Sequence, residues 1–329
     1  MPRELVPAPV PPAEADVTHR RERESGVALV LVMWVAVILA VIAGSFILER
    51  RTEMLIVGNS VSKARAEAAA DAGVHRALHD LYRQNIQDTW KRDGTPHEWA
   101  FEGVPVRVEI RDESAKIDIN TASDPLFRGL LVSVGLREDE AAAILDAILD
   151  WRDADPLKRP NGAEEADYIA AGLTYRPGNA PFQAIEELQL VLGMRPDIYR
   201  RLAPSITVFS RMPGINATVA SREVLLAIPG VTTEQVDLYI AQRDEARAQG
   251  LPNPPFPAAA AVSSGGTTVA TIRSDARLDD GTVFVREAIA LLRPVPRRPV
   301  TFVGWRESTA APSDAPKPQD PQPADRKVN

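Results

Sequence analysis

The chain has 329 residues, enough for one or two domains with their own cores, and 45% of them are hydrophobic and 25% charged. Its formal net charge is −7, so the chain as a whole presents no broad cationic surface to a polyanion such as nucleic acid. It contains no cysteine, which excludes disulfides, zinc thiolate sites and cysteine nucleophiles.

The first predicted element is a membrane-spanning helix. Residues 27–48 carry no charge, and 22 helical residues at about 1.5 Å each span a hydrocarbon core of roughly 30 Å. A cleavable secretory signal is the alternative, but its apolar stretch is usually about 7 to 15 residues and ends at a small-residue cleavage site. Basic residues flank the span on both sides, so charge alone does not predict its orientation.

The helical pattern continues beyond the span without a proline until Pro96. Apolar and small residues recur at spacings of three and four, as in Met54, Val57, Val61, Ala64 and Ala68. The sequence therefore predicts one long helix whose first half lies in lipid and whose second half packs on a globular domain. His75 and His79 are four residues apart, but such a pair on a polar helix face is usually only solvated.

Four segments are predicted to be strands. Residues 104–109 and 117–120 alternate apolar and polar side chains, and residues 206–209 and 282–285 are rich in β-branched and aromatic residues. Asp279, Asp280 and Gly281 form a hairpin signal between apolar runs. The predicted fold class is α+β, a long N-terminal helix packed on a small antiparallel or mixed sheet.

Between the strands lies a pattern that occurs three times. Each unit has an Asn, a Leu nine or ten residues later, and a Gly five residues after the Leu: Asn120, Leu130, Gly135; Asn179, Leu188, Gly193; Asn216, Leu225, Gly230. The repeat predicts a helical subdomain of helix-turn-helix units in which the Asn caps a helix and the Gly provides the turn. The first and third units also end on Arg-Asp pairs, Arg152-Asp153 and Arg243-Asp244.

These units resemble helix-hairpin-helix elements that bind DNA, most closely at residues 228–231. A membrane-tethered DNA-binding protein is therefore an alternative function. However, the predicted hairpins read GLREDE and GVTTEQ, with a single glycine followed by acidic residues. Acidic side chains beside a phosphate would oppose binding, so nucleic acid is not expected as a partner.

A proline-interrupted segment at residues 150–167 gathers six carboxylates within 18 residues: Asp150, Asp153, Asp155, Glu164, Glu165 and Asp167. Such a loop can direct oxygens around calcium, which accepts six to eight of them at flexible geometry, although the order of ligands differs from an EF-hand. The alternative is a solvated loop with ion pairs to its own basic residues. Nothing in the chain supplies a nucleophile, a phosphate loop or a zinc motif, so an enzyme is not expected.

The junction before the apolar run, RRERESG followed by VALVLV, resembles the type III signal of type IV pilins and pseudopilins. This resemblance implies that prepilin peptidase cuts between Gly26 and Val27, and that the leader before the cut is cytoplasmic. The family usually has a glutamate at the fifth mature position, where this chain has Leu31. Among pseudopilins, the protein K type lacks that glutamate. A generic membrane-anchored periplasmic domain is the second alternative.

Longer motifs narrow the resemblance: INTAS, DWRDADPLKRPNGAEEADY, YRPGNAPFQAIEELQLVLGM, YRRLAPSITVFS and INATVASREVLLAIPGV. In this order they are similar to the type II secretion protein K family, over about residues 20–305. The resemblance implies a pilin-like fold with a large inserted all-α domain, anchored by one span in the inner membrane with its C-terminal domain in the periplasm. It also implies a place at the tip of the pseudopilus with minor pseudopilins I and J.

The family resemblance further implies calcium binding in the inserted domain, for which the expected donors are Asp153, Asp155, Glu164, Glu165 and Asp167. The predicted organisation is a leader at 1–26, the span at 27–48, the helix and first strands at 49–118, and an inserted helical domain at 119–204. That domain extends to about 246 if the third unit belongs to it. Residues 205–306 return to the sheet with a mobile loop at 247–266, and residues 307–329 form a disordered tail.

Overall fold

The computed structural model describes residues 18–82, 89–258, 261–263, 265–292 and 300–309. It divides into two compact units, Met1–Ser62 and Lys63–Asn329. The first 17 residues of the predicted leader and residues 310–329 of the predicted tail lie outside the described residues. The same is true of residues 259, 260 and 264 in the predicted loop.

Helix α1 runs from Thr18 to Leu81, a length of 64 residues. Within the first unit, the segment Ala28–Ser45 has a mean hydropathy of 2.7 and none of it is buried. By length and composition this segment is able to cross a membrane. The prediction of one long helix that begins with an apolar span is confirmed.

The second unit contains an antiparallel sheet of five strands in the order β1-β2-β5-β6-β7. The strands among the described residues of this unit are β1 Asp93–Phe101, β2 Val104–Asp112, β3 Ile117–Asp118, β4 Ile206–Thr207, β5 Val269–Arg277, β6 Val283–Leu292 and β7 Val300–Ser308. The short strands β3 and β4 form a separate parallel pair.

The C-terminal part of α1, from Lys63, covers one face of the large sheet. Alternation in β2 turns Val104, Val106, Val108 and Ile110 toward the helix, where all four are buried. The helix contributes small residues to this contact, among them Ala66, Ala69, Ala70 and Ala77. A Cβ on Gly73 would lie 2.2 Å from Ser274 Oγ, so a glycine is needed where the helix and the sheet come closest.

The predicted strands are found, but not all in one sheet. Residues 104–109 lie in β2 and residues 283–285 in β6, with a turn at Gly281 whose φ is +86°. The segments predicted at 117–120 and 206–209 instead form the β3–β4 pair. Strands β1, β5 and β7 were not predicted from the sequence.

A helical lobe, defined here as residues 117–258, follows β2 and has its own apolar core. Its helices are α2 Asp124–Ser133, α3 Glu138–Arg152, α4 Glu165–Ala170, α5 Pro196–Leu202, α6 Arg222–Leu226 and α7 Thr233–Ala248, with a 3₁₀ helix at Ile185–Leu190. The core of this lobe includes Val236 and Tyr239 of α7. The third unit of the repeat therefore packs with the helical core and not with the sheet.

The repeat predicted the turns correctly and the caps wrongly. Gly135, Gly193 and Gly230 each have a positive φ, between +79° and +94°, and each separates two helical segments. The helices that precede these turns have Ser123, Ala184 and Ser221 at their N-caps, not the three asparagines. Asn120 instead exchanges two hydrogen bonds with the backbone of Phe182, which lies 62 residues away.

Candidate functional site

The predicted processing junction lies on α1. The backbone of Gly26 and Val27 is helical, and their side chains are outside the described part of the chain. Leu31, which occupies the position of the usual pilin glutamate, is exposed on this helix. The described part of the chain does not test the predicted cleavage, which stays a prediction.

The acidic segment connects the end of α3 to the start of α4. Asp150 belongs to the last turn of α3, Asp153 is the C-cap of that helix, and Glu164 is the N-cap of α4. The loop therefore turns back on itself, and this return brings carboxylates from its two ends together.

Asp150 is the buried centre of this loop. Its carboxylate is fully buried and accepts a hydrogen bond from the backbone N–H of Arg159 at 3.2 Å. The Arg159 guanidinium lies 3.8 Å from it. A Cβ on Gly162 would lie 1.9 Å from Asp150 Oδ2, so only a glycine lets the backbone approach so closely. Burial raises the pKa of Asp150.

Two carboxylate oxygens beside Asp150 have no donor. Asp153 Oδ1 and Glu164 Oε1 are shielded from solvent and lack a hydrogen-bond partner among the described residues. Burial raises the pKa of both carboxyls, and repulsion from neighbouring carboxylates, including Asp155, raises them further. Buried acceptors that repel each other are suited to a cation, which would supply the missing positive charge.

The other predicted donors are placed differently. Asp155 is exposed and accepts a hydrogen bond from the N–H of Leu157 at 2.9 Å. Asp167 accepts from Lys158 Nζ at 2.6 Å and from the Glu164 N–H at 2.9 Å, so both of its oxygens are engaged. These contacts lower the pKa of Asp167, the bond from Lys158 most of all.

Glu165 is exposed and lies 3.8 Å from Arg176. Within the described ranges, no three His, Asp or Glu side chains are already arranged to hold an ion. The structure thus brings together Asp150, Asp153, Asp155 and Glu164, and it leaves Glu165 and Asp167 at the edge of the cluster. Closing the cluster around a cation would require its side chains to rotate inward.

A group of aromatic rings packs between the two helices that flank the loop. Trp151 stacks on Phe182 with ring centroids 6.2 Å apart, and Tyr168 lies 5.9 Å from the same indole. Burial raises the pKa of Tyr168 to about 12, and its hydroxyl accepts a hydrogen bond from the Leu192 N–H at 3.0 Å. Trp151 lies in α3 and Tyr168 in α4, so their contact connects the two ends of the loop. This support was not predicted from the sequence, although the DWRD motif contains its central tryptophan.

The two helical hairpins, α2–α3 and α6–α7, close in the same way. Arg152, at the end of α3, donates to the carbonyl of Ile119. Arg243, in α7, donates to the carbonyls of Ala217 and Ala220, at 3.3 and 2.8 Å. In each unit an arginine of the second helix therefore bonds to the backbone that precedes the first helix.

In each of the two hairpins, the first turn of the second helix contains acidic residues, as the sequence predicted. Helix α3 begins with Glu138, Asp139 and Glu140, and Glu234 lies in the first turn of α7. A groove of about 1110 Å³ runs between the hairpins, and its charged lining is Asp124, Arg128, Glu138 and Asp146. This charge distribution does not favour a DNA backbone.

Comparisons with known proteins agree with one another. Residues 108–211 match a family described as "Type II secretion system (T2SS), protein K". The chain is 28% identical over 244 residues to type II secretion system protein K of Pseudomonas aeruginosa. The alignment covers 66% of this chain and 73% of that protein. It is 26% identical over 209 residues to the protein of the same name from Pectobacterium carotovorum subsp. carotovorum, covering 56% of this chain and 63% of that one.

The fold is also similar to a solved structure. A crystal structure of the GspK-GspI-GspJ complex from the enterotoxigenic Escherichia coli type 2 secretion system contains a chain that matches with a TM-score of 0.53. The match covers 80% of this chain and 100% of that chain, at 16% identity, and supports the α+β fold with a helical insert. The resemblance to the type II secretion protein K family, indicated by the sequence motifs, is confirmed.

Proposed function

We propose that this chain is a minor pseudopilin of a type II protein secretion system, that it stands at the tip of the pseudopilus, and that it helps to initiate assembly and export of folded proteins across the outer membrane. The observation that carries the proposal is the joint similarity of sequence and fold to protein K of such systems. The role is structural and not catalytic.

The proposed location is the inner membrane, with α1 as a single-pass anchor and the second unit in the periplasm. The apolar segment Ala28–Ser45 supports the anchor by its length and hydropathy. The charged leader before it supports cytoplasmic cleavage by prepilin peptidase between Gly26 and Val27. N-terminal sequencing of the mature protein tests this step, because Val27 should be the first residue. Gly26→Val should block processing, while Gly26→Ala should be tolerated; a mature chain that begins at Met1 or beyond Leu48 would contradict the proposal.

The tip position follows from two features of the chain. Leu31 cannot neutralise the N-terminal amine of a neighbour, a role that a carboxylate at this position is thought to have in other pseudopilins. A subunit without that carboxylate is poorly equipped to be added beneath an existing one. The helical lobe would also obstruct stacking from above. Both features suit a subunit that starts the fibre.

The proposed partners are minor pseudopilins I and J, the other components of the complex to which this fold is similar. The full chain should co-purify with both of them from membranes. Deletion of the gene should reduce secretion without removing the major pseudopilin. If the protein is found along the whole pseudopilus, or if secretion is intact without it, the tip assignment fails.

We also propose that the acidic loop binds calcium. Asp153 and Glu164 have the strongest support, since each has a shielded oxygen without a donor, and Asp150 and Asp155 complete the cluster around them. Glu165 and Asp167 would join only if the ion displaced their present contacts with Arg176 and Lys158. A bound calcium would supply positive charge between the two ends of the loop and fix them to each other.

A further inference from the structure

Two separate apolar cores meet in the second unit. One core belongs to the helical lobe, and the other lies between α1 and the five-stranded sheet, here called the sheet lobe. Within the described residues, no hydrophobic side chain belongs to both cores. A cleft of about 790 Å³ lies between the lobes. The joint between them must therefore be held by contacts other than a shared core.

At the base of this cleft lies Glu113, a carboxylate that is only 1% exposed. It belongs to a single 3₁₀ turn, Glu113–Ala115, between the end of β2 and the start of β3. The chain passes from the sheet lobe into the helical lobe at this point. A carboxylate buried here is costly unless several donors surround it.

Three side-chain donors reach Glu113. Thr207 Oγ1 of β4 donates to Oε2, and Thr271 Oγ1 of β5 donates to Oε1 at 2.5 Å. Lys116 Nζ donates to the same Oε1 at 2.8 Å and balances the charge. Both threonines are buried. Thr207 lies in β4, within the helical lobe, and Thr271 lies in β5, the central strand of the sheet, so one carboxylate joins both lobes.

The ion pairs between Arg306 and Glu186 and between Arg247 and Asp93, which also cross the joint, are more exposed than Glu113. Arg306 of β7 bonds to Glu186 of the helical lobe at 2.8 Å, but each side chain is about half exposed. Such surface pairs contribute roughly 0 to 1 kcal/mol. Arg247 of α7 lies 3.2 Å from Asp93 of β1, and both of these side chains are partly exposed. Hydrogen bonds to a fully buried charge are stronger than surface pairs because water does not compete for the donors.

We propose that Glu113 is an interlobe lock, which fixes the helical lobe on the sheet and sets the width of the cleft. The lock consists of Glu113, Thr207, Thr271 and Lys116. It acts at the crossing point of the chain, where a small rotation would move the far end of the helical lobe by a much larger distance. Without the lock, β4 would lose its link to the sheet, and the helical lobe would move on the sheet while both cores stay folded.

Hydrogen exchange of the full chain in detergent tests the lock. Glu113→Gln keeps the size of the side chain but leaves one acceptor oxygen where two are needed. We expect exchange of the Asn216 amide, which crosses the joint to bond to the Ser114 carbonyl at 2.8 Å, to rise about 10- to 100-fold. Amides of the β2–β5 pair should keep their protection. Unchanged exchange at Asn216, or an equal rise throughout both lobes, would overturn the proposal.

Two further variants make the test specific. Glu186→Gln removes the exposed Arg306 contact across the same joint and should leave exchange at Asn216 unchanged. Thr271→Val removes only the donor from the sheet and should raise exchange at the same amide by a smaller factor. If Glu113→Gln does not fold, Thr271→Val decides: no local rise in that variant contradicts the lock.

The absence of cysteine in the sequence permits an independent measurement of distance. Spin labels attached through Gln189→Cys in the helical lobe and Glu98→Cys on β1 would report the separation of the lobes. Both positions are exposed. The distance distribution should broaden with Glu113→Gln and stay narrow with Glu186→Gln. A distribution that is equally narrow in all variants would show that the lobes are held without Glu113.

Discussion

Neutralising two carboxylates of the acidic loop should have opposite effects with and without calcium. The double variant Asp153→Asn, Glu164→Gln removes the two groups whose pKa is raised by burial and by neighbouring carboxylates. Without calcium, the variant should be more stable than the original chain, because two repelling charges are gone. With calcium, the variant should be less stable than the original chain, because the ion loses two donors.

The expected magnitude follows from mass action. A ligand that binds only the folded chain stabilises it by about 2.7 kcal/mol when its free concentration is 100 times Kd. For a domain of roughly 150 to 250 residues, each kcal/mol shifts Tm by about 2 to 4 °C, so calcium should raise Tm by about 5 to 10 °C. The double variant should lose most of this shift. Magnesium should have a smaller effect on the original chain, since it is dehydrated reluctantly and requires a tighter octahedron.

Thermal unfolding of the full chain in detergent, with excess calcium or with chelator, provides the assay. Glu165→Gln is the matched control: its side chain belongs to the same segment but is exposed toward Arg176, so the calcium shift should persist. A calcium shift that survives in the double variant would place the site elsewhere. Loss of the shift in Glu165→Gln alone would show that Glu165 rotates inward to become a donor.

Three further results are expected. Gly162→Ala should destabilise the chain by about 1 to 3 kcal/mol in denaturant titrations, because its Cβ would lie 1.9 Å from buried Asp150 Oδ2; an unchanged midpoint would contradict the close approach. Without calcium, the chain should be more stable at lower pH. The raised carboxyl pKa values of the loop mean that the folded state binds more protons than the unfolded state. The free energy of unfolding should therefore rise as pH falls from above the raised values toward the ordinary 3.8 and 4.5. Loop amides whose protection, relative to the unfolded chain at the same pH, falls on acidification over that window would refute the sign. Arg286→Met should loosen α1 on the sheet, since buried Arg286 bonds to Glu67 and Asp71 at 2.6 Å each; equal exchange of α1 amides in both chains would contradict this.

Much of the fold could be predicted from the sequence, and the missed strands have a common cause. Strand β5 alternates buried Ala270, Ile272 and Ala276 with Arg273 and Asp275 on the opposite face, where charged side chains obscure the apolar pattern. Strand β1 contains Gly94 and Pro96, both of which indicate a turn more often than a strand. These signals are correct locally, but pairing with β2 overrides them. Propensity in a strand depends on its neighbours, which the sequence alone does not reveal.

The acidic segment could be located from the sequence, but its individual oxygens could not be distinguished. Five of its six carboxylates are expected donors, and the sequence does not rank them. The structure separates them because the loop reverses direction between α3 and α4. This reversal leaves one shielded oxygen of Asp153 and one of Glu164 without a donor in the described part of the chain, and it directs Asp167 to Lys158. Which acid acquires a lysine partner depends on the path of the loop, and that path depends on a glycine fitting against Asp150.

The error in the asparagine caps shows how a repeat should be interpreted. Asn120 and Asn216 recur because each fixes the chain just before a helical hairpin, one by bonding to Phe182 and the other to Thr218. Neither reaches the exposed N–H groups of the helix that follows. The Arg-Asp pairs at the ends of two units contain Arg152 and Arg243. Each of these arginines donates a hydrogen bond to the backbone at the start of its own unit and so closes the hairpin. A recurring polar residue at the start of a unit therefore need not cap a helix. A contact between the two ends of a unit explains the recurring arginines alone, since a hairpin packs as one element when its first and last segments are held together.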